Sequence, residues 1–362
     1  MAFKRIAVLM ALAISQLQPG NAASIQKRSV TCPTGQTTAN EACCVLFPVV
    51  DLLQKELFDN GQCDEEAHAA LRLAFHDAIG FSNSGKGGGA DGSILAFNST
   101  ETAYDANAGI DDIVALQWPL FLKSNLTAGD FVHLAAAVGT ANCPGTPQLP
   151  YSFGRPPPVA PAPDLTVPQP TDSVTTILAR FAEAGFVAPE VIWLLASHSI
   201  AAAVRTSTSL PPGTAFDSCV IFSDTQFYLE VLLNGTQFPG SGEKSGEVPS
   251  ALAGEMRLAS DFAFSQDSRT ACFWQEAIDD QPFIMGKFEA AMAKLQVLGQ
   301  SGFRLTDCSD VIPVPKAFSG PIRYPASFNQ TNVQIACTST PFPSLATVAG
   351  PAPTIPPVSV TF

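Results

Sequence analysis

Apolar residues recur at helical spacing through most of the chain. Val45 to Leu57 places them every three to four positions and runs into Asp59-Asn60-Gly61, a helix stop. Asp64 to Ile79 opens with Glu65 and Glu66, where acid suits a helix start, and continues rich in Ala, Leu and Phe. Gly80 to Ser93 is Gly- and Ser-rich and reads as a loop, followed by helices at Asp111–Leu122 and Ala128–Thr140. Between Pro144 and Pro170, ten prolines in twenty-seven residues exclude a helix and mark a seam between two halves. Helical pattern resumes at Val174–Ala184, capped by Ser173 and closed by Gly185, then at Pro189–Ala203 with Pro in the first turn. Gln226–Leu233, Gly254–Phe264, Thr270–Asp279 and Gln281–Leu298 complete the set, and the proline-rich tail from Thr338 reads as extended. No repeat is visible, and the class is mainly α in two unequal halves.

The N-terminus predicts export. Lys4-Arg5, the apolar run Ile6 to Ile14 and the small-residue zone Gly20 to Ala23 form a signal peptide, and Lys27-Arg28 reads as a dibasic processing site. Losing the four basic residues Lys4, Arg5, Lys27 and Arg28 takes the formal charge from −13 to −17. So acidic a protein is not a nucleic-acid binder, and no apolar run is long enough for a membrane span. Sequons at Asn98, Asn125, Asn234 and Asn329 fit a secreted protein. The nine cysteines then predict up to four disulfides with one thiol left over, and the adjacent Cys43 and Cys44 tie the N-terminus to two places. Only four His are present, which excludes a multicopper oxidase. There are 25 Phe against four Tyr, three Trp and five Met. Thinning of oxidisable side chains in a maker of strong oxidants explains this, and so does ordinary drift in composition.

Three constellations carry chemistry. In Arg72-Leu-Ala-Phe75-His76-Asp77, Arg72 and His76 lie four apart and share a helix face. An imidazole that takes a proton from one peroxide oxygen, beside a guanidinium that stabilises charge on the other, suits peroxide cleavage. An exposed Arg beside a hydrogen-bonded core His fits the hexapeptide as well. The second is Trp193-Leu-Leu-Ala-Ser197-His198-Ser199, whose His is either a satisfied core residue or the second of two histidines bracketing a haem. In the third, Asp77 joins the loop from Gly87 to Ser93, where carboxylates and a hydroxyl among glycines fit Ca²⁺ or a solvated turn. Ser199, Asp217 and Asp224 form a comparable oxygen cluster after the second His.

Together, Arg72-x-x-Phe75-His76-Asp77, the Ala90-Asp91-Gly92-Ser93 loop, Trp193 to Ser199 and Asp307 to Pro313 resemble the secreted fungal haem peroxidases. That group holds lignin, manganese, versatile and generic peroxidases, and the resemblance spans the mature chain. It implies a mainly α, two-domain peroxidase fold with one haem b sandwiched between helical halves. A signal and propeptide (1–28), a distal domain (29–165), a proximal domain (166–320) and an extended tail (321–362) would follow one another. It makes His198 the proximal iron ligand, with Asp261 accepting its other N–H and Phe216 packing beside it. His76 becomes the distal base, Arg72 the charge stabiliser and Phe75 a wall, with Asn107 holding the His76 tautomer, itself steadied by Glu101. Asp77, Gly89, Asp91 and Ser93 match one calcium site; Ser199, Asp217, Cys219, Phe222 and Asp224 match a second. The implied disulfides are Cys32–Cys44, Cys43–Cys308, Cys63–Cys143 and Cys272–Cys337.

Departures from the family pattern point to a subtype. Manganese-oxidising members bring three carboxylates to a haem propionate, a hard-oxygen set for Mn²⁺. Here only Glu65 remains, because Ala69 and Val204 fill the other two positions. Arg205 either pairs with a propionate or is a surface residue. Trp193 matches the tryptophan that relays electrons from bulky substrates; five positions from His198, it faces about 140° away on a continuous helix. A plain packing role fits it too. Cys219 stands where the family supplies a threonine, so the second calcium is expected to be weaker. The expected enzyme is a monomeric, manganese-independent, lignin-peroxidase-like oxidant using H2O2 and aromatic reductants. A generic low-potential peroxidase with an idle Trp193 and a versatile type are the alternatives. A non-catalytic haem- and calcium-binding module does not explain why His76, Arg72 and Asn107 occur together.

Overall fold

The computed structural model describes residues 29–83, 85, 87–203, 210–318 and 320–358. The export segment, Val204 and Arg205 lie outside the described residues.

Helix α1 (Phe47–Glu56) follows a 3-10 turn, Glu41–Leu46, whose Asn40 side chain accepts from the Ala42 N–H. Helix α2 (Glu65–Ile79) starts one residue inside the expected span. Asp64 is its N-cap, accepting from the Ala67 N–H, a contribution of about 1 kcal/mol. Ala70, Leu71, Leu73, Ala74, Ala78 and Ile79 bury α2 on most of its circumference. Two short helices, α3 (Ser93–Ala96) and α4 (Asn98–Glu101), and a 3-10 turn at Asp105–Asn107 were not legible in the pattern, since each is too brief to show a period. Helices α5 (Ile110–Ser124) and α6 (Ala128–Asn142) both overrun their expected ends. Helix α6 is buried from Ala128 to Ala141 and packs against α2. A Cβ at Gly139 would stand 2.9 Å from Phe58 and 3.1 Å from the Ala67 backbone, so only glycine permits this approach.

The proline-rich segment is irregular, as expected, but it is not slack. Within it Arg155 is fully buried. Its Nη1 donates to Asp130 Oδ1 of α6 at 2.9 Å, and its Nη2 donates to the Gln296 carbonyl at 2.7 Å. One arginine therefore ties the first half to the end of the last long helix.

In the second half α7 (Val174–Glu183) is capped by Ser173 as expected. Arg180 of α7 donates to the carbonyls of Ile79 and Phe81, gripping the C-terminus of α2. The expected helix Pro189–Ala203 is broken. Helix α8 (Ala188–Leu194) gives way to a 3-10 turn, Leu195–Ile200, and then to strand Ala202–Ala203. Tighter winding puts Trp193 about 200° from His198 rather than 140°, still on the opposite side. Helix α9 (Gln226–Leu232) is close to its expected span. Helix α10 (Ala259–Gln266) starts five residues later than expected, because Arg257–Leu258 pairs as a strand with Glu247–Val248. Helices α11 (Ala271–Glu276) and α12 (Gln281–Leu295) end early, and α12 packs against α8. Among the described residues strand occurs only as five two-stranded pairs. The disulfides are Cys32–Cys44, Cys43–Cys308, Cys63–Cys143 and Cys272–Cys337, and Cys219 is free. No helix among the described residues is long and apolar enough to cross a membrane.

Candidate active site

A cavity of about 320 Å³ opens between α2 and the turn after α8. That is within the range of roughly 300–1,000 Å³ common for small-molecule sites. Arg72, Phe75 and His76 line one wall; His198, Phe216 and Asp261 line the other.

His76 is buried, and its Nδ1 lies 2.7 Å from Asn107 Oδ1. Asn107 Nδ2 donates to the Glu101 carbonyl at 2.8 Å, so the amide oxygen must accept from His76. Nδ1 therefore carries the proton, and Nε2 keeps a lone pair. Burial, reinforced by the Arg72 charge, pushes the imidazole down to about 3, leaving it neutral and able to take a proton. Glu101 acts here through its backbone; its carboxylate accepts from the Ala162 N–H at 2.9 Å and is raised to about 7 by burial. Arg72 donates to the Ala108 carbonyl at 3.0 Å; burial lowers it to about 10, so it stays charged. Phe75 sits edge-on to His76 at 5.6 Å and stacks on Phe181 at 6.0 Å.

Across the cavity, His198 Nδ1 lies 2.9 Å from Oδ2 of the buried Asp261. A carboxylate oxygen accepts, so Nδ1 is the donor of this pair and Nε2 keeps its lone pair free. Phe216 and Phe227 meet the ring edge-on at 5.4 and 5.5 Å. Nothing in the pattern singled out Phe227, which α9 brings in from 29 residues away.

The two oxygen clusters also assemble. Asp77 Oδ2 accepts from the Gly92 N–H at 2.9 Å, and Asp91 Oδ1 accepts from the Ser93 N–H at 3.0 Å. Gly89 stands beside them at φ 79°, its carbonyl accepting from the Asp91 N–H at 2.8 Å. Asp77 Oδ1 and Ser93 Oγ are buried without a protein partner, and burial raises both carboxyls above the usual range. Two packed carboxylates with an orphaned oxygen and hydroxyl fit a hard cation. His133 of α6 lies 3.1 Å from Asp77 Oδ2, a partner that sequence reasoning missed because no local spacing links them.

In the second cluster Asp217 Oδ1 accepts from the Cys219 N–H at 2.6 Å, while its Oδ2 is buried and unpartnered. Asp224 Oδ1 accepts from the Gln226 N–H at 2.8 Å, and Ser199 Oγ donates to the Ala196 carbonyl at 2.9 Å. The Cys219 carbonyl accepts from the Phe222 N–H at 3.2 Å, and the Phe222 ring stacks on Phe318 at 4.4 Å. The donors suit a cation here too, except for the thiol, which burial and the carboxylates of Asp224 and Asp217 raise to about 11. Buried Glu230, accepting from the Ser218 N–H at 2.9 Å, adds a carboxylate absent from the expected set.

Trp193 is half-buried and does not line the cavity, although Leu194 and Leu195 do. Glu65 and Ala69 both line it; burial and neighbouring Glu66 raise Glu65 to about 8. Lys244 was not singled out by the sequence, yet it lies on the cavity wall, lowered to about 8 by burial and by Arg72.

Residues 49–280 match the family model described as peroxidase, and residues 283–360 match the fungal peroxidase extension region. The chain is 51% identical to versatile peroxidase VPS1 of Pleurotus eryngii, over 91% of each chain. It is 49% identical to manganese peroxidase 3 of Phlebia radiata over 99% of each. It is 45% identical to ligninase H2 of Phanerodontia chrysosporium, covering 98% of this chain and 97% of that one. With the cavity between two histidines and matches along almost its whole length, the chain belongs to the fungal class II haem peroxidases, H2O2-dependent oxidoreductases of lignin-degrading type.

Proposed function

We propose that the protein is a lignin-peroxidase-like enzyme that oxidises aromatic reductants without manganese and takes electrons from bulky substrates through Trp193. The observation carrying this reading is the pairing of Trp193, off the cavity, with a reduced carboxylate set at the cavity. Of the three positions where manganese-oxidising members carry carboxylates, only Glu65 keeps an acid, too small a hard-oxygen set to hold Mn²⁺ tightly.

Haem b, when bound, supplies an iron that peroxide oxidises by two electrons and that aromatic donors return in single steps. His198 Nε2 would hold the iron, with Asp261 making that nitrogen a stronger donor. His76 Nε2 accepts the proton from the near peroxide oxygen and delivers it to the departing one. Arg72 stabilises negative charge on that departing oxygen. Phe75 and Phe216, which both line the cavity, would supply apolar contacts to the bound haem. Asp77, Gly89, Asp91 and Ser93 would hold one calcium; Ser199, Asp217, Cys219, Phe222 and Asp224 would hold a second, weaker one. The protein would act outside the cell, a placement that exposed sequon asparagines at 125, 234 and 329 support, and as a monomer.

The test is H2O2-dependent oxidation of veratryl alcohol with manganese excluded. Turnover lost in Trp193→Ser, with small-phenol oxidation retained, supports the reading. Phenol turnover without veratryl alcohol turnover supports a generic peroxidase, which the half-burial of Trp193 favours. Acceleration by Mn²⁺ supports a versatile enzyme.

A further inference from the structure

Trp193 packs against α12, where Lys287 places its ammonium 4.9 Å from the centre of the indole ring. The same ammonium is 5.2 Å from Phe283, one turn earlier on α12, so it rests between two aromatic faces. Lys294, seven residues on and on the same helix face, shows what a neutralised lysine looks like here. Its Nζ lies over Phe186 at 4.4 Å, but it also pairs with Glu190 at 2.7 Å. No carboxylate among the described residues pairs with Lys287. Trp193 Nε1 is buried and has no acceptor among the described residues.

A cation over a neutral indole is attracted by the negative face of the ring. Removing an electron from the ring reverses the sign, because ammonium and oxidised ring then repel. An indole N–H without an acceptor cannot relieve that charge by passing its proton to the protein. Lys287 and Trp193 are both half-buried, so part of the positive charge stays open to an approaching donor.

We propose that Lys287 sets the substrate range of Trp193, making it a strongly oxidising relay that prefers bulky anionic aromatics to bulky cationic ones. This rests on the relay reading given above. In each passage one electron leaves the donor for the oxidised Trp193, whose own electron has gone to the haem centre. Two such electrons and two protons reduce one H2O2 to two waters, and two donor molecules are each oxidised by one electron. Lys287 touches no reacting atom; it is a positioning residue acting through the charge it holds on Trp193.

The experiment uses the haem-loaded enzyme with a sulfonated azo dye and a cationic triarylmethane dye of similar size, both too large for the cavity. Lys287→Met keeps the apolar stem and removes the charge; Lys287→Arg keeps the charge. The expected result for Lys287→Met is a KM for the sulfonated dye about fivefold higher, a lower KM for the cationic dye, and small-phenol oxidation unchanged. Raised salt should erase the wild-type preference and leave the Met variant unmoved, while Lys287→Arg restores it. A second readout is independent of dye turnover: under H2O2 without reductant, mass spectrometry should find more oxidation at Trp193 in Lys287→Met, because its ring is easier to oxidise. Unchanged dye preference and unchanged Trp193 oxidation, with dye turnover still abolished in Trp193→Phe, overturns the role of Lys287 while leaving the relay standing. Full dye turnover in Trp193→Phe overturns both.

Discussion

The two histidines of the cavity are chemically the same side chain held in the same way. Each has Nδ1 tied within 3 Å of an oxygen and Nε2 left for the cavity. What differs is the oxygen. His76 meets a neutral amide whose orientation is fixed by the Glu101 carbonyl, within a buried setting beside a guanidinium. His198 meets a buried carboxylate. A neutral partner leaves the imidazole a weak base with an available lone pair, suited to moving a proton. An anionic partner pushes electron density through the ring, suited to holding a metal. Role is decided by the second atom out.

Variants test this contrast in descending order of effect. His198→Ala should abolish haem retention, read as loss of the Soret band after gel filtration. His76→Ala should keep the haem but slow reaction with H2O2 by about 10²–10⁴-fold, read by stopped flow. Equal haem loss in both variants would break the assignment of separate roles. Next comes the amide–carboxylate difference itself. Asp261→Asn removes the negative partner and should raise the haem reduction potential, with a roughly 10–100-fold loss of activity or haem affinity. Asn107→Asp adds a negative partner on the other side and should raise the His76 pKa, moving the acid limb of the H2O2 reaction to higher pH. The sign follows from the carboxylate favouring imidazolium, the form that cannot accept a proton.

Outside the cavity, Arg155→Ala should cost about 3–5 kcal/mol by leaving Asp130 buried and unpaired, read as a lower midpoint in urea. The smallest effect concerns the two oxygen clusters. The Asp77 cluster has an orphaned hydroxyl as well as carboxylates, whereas the Asp217 cluster offers a thiol. Dialysis against chelator should strip the second site first, and Cys219→Thr should delay that loss, both read by elemental analysis. Two fully occupied calciums after dialysis of the unaltered protein would remove the distinction.

The helices that frame the cavity were legible because their caps and periods are local. Glu65 and Glu66 at the start of α2, and Ser173 before Val174, are written in adjacent residues. The stretch from Trp193 to His198 misled in one respect. Its apolar pattern continues past Leu194, but the chain tightens to a 3-10 turn and then pairs Ala202–Ala203 with Thr214–Ala215, a partner that no local pattern names. Arg155 lay hidden among prolines because its partners are 25 and 141 residues away.

By itself the sequence determined the helical class, the four disulfide partners through family resemblance, and the residue types of the site. Those follow from local periodicity and from motifs whose spacing the chemistry requires. Only the tertiary structure decided that His133 and Glu230 would join the carboxylate clusters, and that Lys287 would sit unneutralised over Trp193. These depend on distance and burial between segments far apart in the chain. Charge and hydrogen-bond effects act through space, and sequence order does not measure that space.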